Sequence, residues 1–168
     1  MAARGKFRDF AKDILSLLCP TVGPEIRDPH ANYVIADPKT PFERYWNYLL
    51  KASPLLDLPL FNQITSKDAF FKHIYKDCIQ AVVIKKEKKY FLFKGTLICE
   101  LRNTEPFKSK FRLVVPCTLS GDLITQTHRC FGHQGPAKLK RMLSNRFEIN
   151  NLYSLAQMIF CRICDEIR

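Results

Sequence analysis

Apolar residues at the start of the chain recur at helical spacing. Phe7, Phe10, Ile14, Leu17 and Leu18 fall on one side of a helix over residues 7–19. Pro20, Gly23 and Pro24 end it, and residues 20–40, with four prolines, read as a loop. Thr40-Pro41 is a helix start, an N-cap residue followed by a proline whose missing N–H costs nothing at the first helical position. The helix PFERYWNYLLKAS (41–53) follows, and Pro54 and Pro59 break what comes next. Ser66 is a second N-cap, with Asp68 in the first turn of a helix over SKDAFFKHIYKDC (66–78).

After residue 78 the period changes. IQAVVIKKEKKYFLFKGTLICELR (79–102) carries β-branched and aromatic runs split by a charged turn and by Gly95, which predicts strands near 80–85, 89–94 and 96–101. Residues 103–110 form a polar loop, and FRLVVP (111–116) is a further extended segment. From Cys117 the spacing is helical again. Thr118 or Ser120 caps a helix that carries Leu119, Leu123, Ile124 and Thr127 up to His128. Gly132 and Gly135 make a turn, and Pro136 opens a helix with Leu139, Met142, Leu143 and Phe147 on one face. A third helix runs from Leu152 to Phe160. The pattern predicts an α+β fold: a small antiparallel β meander with flanking helices, then a three-helix bundle. Three units are expected. Residues 1–63 are a helical region that docks on the β element, 64–116 a small α/β extension domain, and 117–168 a helical domain.

Composition sharpens this outline. With 168 residues, 46% of them hydrophobic, a core can form and global disorder is excluded. Twenty-seven Lys+Arg against 16 Asp+Glu give a formal charge of +11, which points to a polyanion, most simply DNA. No segment reaches the roughly 18 apolar residues of a membrane span, and the 14–19 run is too short for a signal-peptide core. An intracellular, nuclear location is expected. An odd number of cysteines, seven, argues against a disulfide framework and leaves a subset for metal.

That subset has a spacing. His128-x4-His133 is followed after 27 residues by Cys161-x2-Cys164. A structural zinc site wants four tetrahedral N and S ligands, and the intervening stretch is long enough for one helix out and one back. One structural Zn2+ would pin three short helices that lack a sufficient core of their own. In the competing reading, His128 is a surface residue and Cys161 and Cys164 are core thiols. Cys130 is the rival ligand, set aside because it lies too near His128 in sequence. Cys19, Cys78, Cys99, Cys117, His30 and His73 have no ligand spacing.

These residues carry a resemblance. RLVVP (112–116), His128, Gly132-His133-Gln134-Gly135, Lys138-Leu139 and Cys161-Arg162-Ile163-Cys164 resemble the N-terminal zinc-binding domain of retroviral and retrotransposon integrases. KKYFLFKGTLICE (88–100) resembles the short β element that precedes this domain in gammaretroviral and gypsy-type integrases. The likeness spans roughly residues 64–168, and residues 1–63 have no part in it. It implies a zinc-pinned helical bundle that helps multimerise an enzyme and engages viral DNA ends. It also implies a separate catalytic core with two aspartates and a glutamate for Mg2+. The chain ends four residues after Cys164, so no catalytic core and no strand-transfer activity are expected of it.

Lys138, Arg141 and Asn145 stand at i, i+3 and i+7 on one helix face, flanked by Lys140 and Arg146. Basic side chains there would contact phosphates, and Asn145 or Gln134 could reach a base edge. The same face reads equally as solvated surface charge. A lysine cluster at 85, 86, 88 and 89 reads as a solvated hairpin turn, with Tyr90, Phe91 and Phe93 turned to the core. Two functions follow: a non-catalytic, zinc-binding, nucleic-acid-binding module of an integrase-like protein, or a protein–protein assembly module whose zinc holds a multimerisation surface.

Overall fold

The computed structural model describes residues 10–18, 40–102 and 110–167. Residues 10–15 are helical and run into a 3-10 turn at Ser16–Leu18. The ends of the helix expected over 7–19, and nearly all of the loops expected over 20–40 and 103–110, lie outside the described residues. Helix α1 is Pro41–Ala52, with the Thr40 hydroxyl accepting from the Glu43 N–H at 3.1 Å as its sequence predicts. Helix α2, Leu58–Ser66, occupies a stretch expected to be broken. Pro59 sits in its first turn, where a missing N–H is harmless, and the Asp57 carboxylate accepts from the Leu60 N–H. Ser66 therefore ends a helix rather than starting one.

Helix α3 (Lys72–Gln80) has Phe71 at its N-cap, with no side-chain cap bond, and Asp68 organises the turn that leads into it. One carboxylate oxygen accepts from the N–H groups of Phe70 and Phe71, both at 3.0 Å; the other accepts from Cys117 N–H at 2.6 Å. Cys117 opens the next long helix, so one buried carboxylate ties the turn before α3 to the first N–H of that helix. Its neighbourhood and burial also raise the Cys117 thiol pKa, burial first.

Strands β1 (Val83–Lys85), β2 (Lys88–Phe93), β3 (Thr96–Leu101), β4 (Phe111–Val114) and β5 (Phe147–Glu148) form one sheet in the order β1-β2-β3-β4-β5. The first three pairings are antiparallel and the last is parallel. Phe93 pairs with Thr96 across a two-residue turn, Lys94-Gly95, in which both residues have positive φ, 50° and 79°. That turn matches the strand twist and needs Gly95 in its second place. The mixed α+β class follows the sequence, but β5 does not. Phe147 was expected on a helical face; it is a strand residue opposite Leu113, fully buried.

Helices α4 (Cys117–Cys130), α5 (Pro136–Ser144), α6 (Leu152–Gln157) and α7 (Arg162–Ile167) complete the described chain. Neither Thr118 nor Ser120 caps α4. Both lie inside it, and the Ser120 hydroxyl donates to Pro116 O at 3.1 Å. The helix expected from Leu152 to Phe160 stops at Gln157.

A continuous apolar core crosses the boundaries expected at 63/64 and 116/117. It joins Phe10 and Ile14, Trp46 and Leu49 of α1, Ile98 and Leu113 of the sheet, and Leu119, Leu123 and Leu139 of the later helices. Phe42 meets Phe91, Phe93 and Phe111 edge-on at ring-centroid distances of 5.2, 4.8 and 5.3 Å. Such pairs add stabilisation beyond their buried area. Tyr48 OH donates to Leu17 O at 3.0 Å and the Ser53 hydroxyl to Asp13 O at 2.9 Å, tying residues 10–18 to α1. Helices α4 and α5 thus share the sheet's core rather than forming one of their own.

Of the hairpin lysines, Lys85 and Lys86 are exposed at the turn as expected, whereas Lys88 and Lys89 are engaged in ion pairs. Lys88 Nζ lies 2.6 Å from Glu148 and Lys89 Nζ 3.7 Å from Glu100. Glu148, 6% exposed, further accepts from Tyr90 OH at 2.9 Å and Arg112 at 3.1 Å. A buried carboxylate needs such partners. Burial, with Glu148 next to it, raises the Tyr90 pKa, and burial pushes that of the fully buried Cys99 thiol up to about 12.

Candidate metal centre

The His128-x4-His133 spacing acquires a physical reason at the end of α4. Gly132 has φ 85°, and the His133 N–H donates to His128 O at 2.8 Å, six residues closing on one. That backbone bond is the signature of a Schellman helix end, whose two linked positions normally meet through apolar side chains. Here two imidazoles meet instead, with ring centroids 4.8 Å apart. Gly132 is required twice over: its φ disfavours any other residue, and a Cβ would lie 3.2 Å from the Gln134 amide nitrogen.

His133 itself holds φ 55°, a left-handed conformation that costs a non-glycine residue about 1 kcal/mol or more. The turn keeps it there and aims its ring at His128. His128 Nδ1 is 2.9 Å from Gln134 O. A carbonyl only accepts, so Nδ1 carries the proton and Nε2 presents its lone pair.

The Cys-x2-Cys pair arrives from the far end of the domain. Cys161 immediately precedes α7, its carbonyl accepting from Asp165 N–H at 3.0 Å, and Cys164 lies in the first turn. Three residues of a helix start bring both sulfurs to the same side. Cys164 Sγ is 3.3 Å from His128 Nε2 and 3.6 Å from His133 Nδ1; Cys161 Sγ is 3.3 Å from His133 Nδ1. The two histidine nitrogens are 3.2 Å apart.

All four donor atoms lie within 4.8 Å of one another and could hold a metal ion. The Cys161 thiol pKa is lowered to about 6, first by the Cys164 backbone N–H and then by the flanking side chains. This favours the thiolate, the form that binds metal.

Cys130, the rival ligand, is exposed and outside this group, as are the buried Cys78 and Cys99. His73 is exposed, and His30 and Cys19 lie outside the described residues.

The expected nucleic-acid residues divide. Lys138, Lys140, Arg141 and Asn145 are exposed on or just after α5, while Leu139 and Leu143 face the core. Arg146 is half-buried, its guanidinium 4.9 Å from the centroid of the Tyr48 ring. Gln134 is half-buried too. Its side-chain amide donates to Phe131 O at 3.3 Å and its backbone carbonyl orients His128, a supporting role that sequence reasoning missed. Among the described residues no helix is long and apolar enough to cross a membrane. No family model matches the chain, and neither a curated protein nor a solved structure shows significant similarity to it.

Proposed function

We propose that this chain is a non-catalytic, zinc-binding and nucleic-acid-binding module of an integrase-like, retroelement-derived protein, working in the nucleus. The observation that carries the reading is the juxtaposition of the four-donor cluster with α5. The helix that follows the metal turn keeps Lys138, Lys140, Arg141 and Asn145 exposed.

Zinc suits the donors. Two imidazoles and two thiolates are the set it prefers over harder cations. Ordinary Zn–N and Zn–S bonds in a tetrahedron give edges of about 3.3 Å between nitrogens and about 3.6 Å between nitrogen and sulfur. Four of the six donor separations here are 3.2 Å and 3.3 to 3.6 Å, and all six lie within 4.8 Å. Four protein ligands leave no open position for water, which favours a structural ion over a catalytic one. Bound there, zinc would cross-link the end of α4 to α7.

Helix α4, its tight turn and α5 then resemble a helix-turn-helix whose second helix offers cations to phosphates. Binding to duplex DNA should weaken steeply with salt, by about 0.9 in log K per phosphate contact and per log unit of salt. Lys138→Ala and Arg141→Ala should each reduce that slope by about one. Anisotropy titrations over a salt series read both. Duplex affinity no better than micromolar at low salt would end this reading.

The second reading, an assembly module without DNA contact, is favoured by one observation. Met158, Phe160 and Ile163, 78%, 74% and 55% exposed, are large apolar side chains left to solvent within three residues of Cys161 in the chain. It expects self-association of metal-loaded protein without salt-sensitive DNA binding.

A further inference from the structure

A cleft of about 350 Å³ opens where the sheet meets α5 and α6. Lys88 of β2, Arg112 of β4 and Lys140 of α5 reach its wall, with Glu148 among them. Three cations against one carboxylate leave two positive charges. The Glu148 oxygens are engaged by Lys88, Tyr90 and Arg112, so the carboxylate fixes cations in place rather than repelling an anion. Lys88 Nζ has donors to spare, and Arg112 Nε is buried with no partner among the described residues.

The rest of the lining is not what a bare anion needs. Ile149 and Leu152, each 8% exposed, give it a narrow apolar edge over the buried Phe147. Tyr153 lines it with 43% of its surface exposed, and Lys140 Nζ lies 5.8 Å from the centroid of that ring. An accessible ring beside lysines is the arrangement that stacks an unpaired base and holds its phosphate. A base still paired within a duplex cannot enter a cleft.

We propose that this cleft binds an unpaired nucleotide of a nucleic-acid strand, its base against Tyr153 and its phosphate among Lys88, Arg112 and Lys140. The proposal rests on the nucleic-acid reading above and adds to it a preference for a single-stranded overhang.

The test uses the full metal-loaded chain and three labelled probes: a blunt duplex, the same duplex with a short single-stranded overhang, and that overhang made abasic. The base-containing overhang should bind roughly tenfold tighter than the blunt duplex, the size expected for one stacked base. The abasic overhang should not. Tyr153→Ala should abolish the gain without changing blunt-duplex affinity, and Tyr153→Phe should keep it. Tyr153 is exposed, so both variants should fold. Equal affinity for all three probes, a gain that survives Tyr153→Ala, or an equal gain from the abasic overhang would each overturn the nucleotide site while leaving duplex binding intact. Failure to bind any probe at low salt overturns the broader reading and this one with it.

Discussion

The sheet and the candidate metal centre sit in one molecule but differ in what can hold them together. Around β3 and β4, Ile98, Leu113 and Val115 are fully excluded from water, and α1 adds a cluster of edge-on aromatic rings. Between residues 157 and 166, Cys161 alone is buried, and Met158, Phe160 and Ile163 face solvent. Apolar burial at about 25 cal/mol per Å² can order the first region and has almost nothing to act on in the second. There, the four donors of His128, His133, Cys161 and Cys164 could do by ligation what side-chain packing does elsewhere.

The largest expected effect separates the two regions. Cys161→Ser or a strong chelator should remove a contribution that amounts to roughly 10 kcal/mol or more in small zinc-folded peptides. Hydrogen exchange should then show protection lost across the 131–135 turn and from about residue 158 onward. The sheet, α4 and α5 should stay protected, since Leu119, Leu123, Leu139 and Leu143 pack in the common core. Equal loss in both regions would erase the contrast.

Leu113→Ala should give the opposite footprint. It empties a fully buried site between Ile98 and Phe147 and should cost about 2–5 kcal/mol in denaturant unfolding of the whole chain. Metal affinity of the molecules that remain folded should hardly change, as competition with a colorimetric chelator would reveal. Smaller still is Asp68→Ala. Losing the shared carboxylate bonds should cost about 1–3 kcal/mol and loosen the turn before α3 and the start of α4 together. Fraying at α3 alone would mean that the bond to Cys117 contributes little.

The metal cluster was legible because its spacing is local at both ends: a helix-terminating turn for the histidines and one helical turn for the cysteines. The strands of the meander were legible for the same reason, through alternation and a Lys-Gly turn. What escaped depends on contacts distant in sequence. Glu148 looks like a surface acid until Lys88, Tyr90 and Arg112, 60, 58 and 36 residues away, close around it. Strand β5 is two residues long and exists only because β4 offers it an edge. Asp68 sits where a first-turn acid was expected, yet its second partner lies 49 residues on. Pro59 misled because proline breaks a helix interior but suits a helix start, and only the Asp57 cap reveals which applies.

The aromatic cluster has a practical consequence. Trp46 is the sole tryptophan of the chain, 6% exposed and edge-on to Phe93 at 4.8 Å. Its emission is therefore a built-in optical gauge of the packed half. Metal loss should leave its colour nearly constant, whereas melting of the sheet should shift it to the red as the indole meets water.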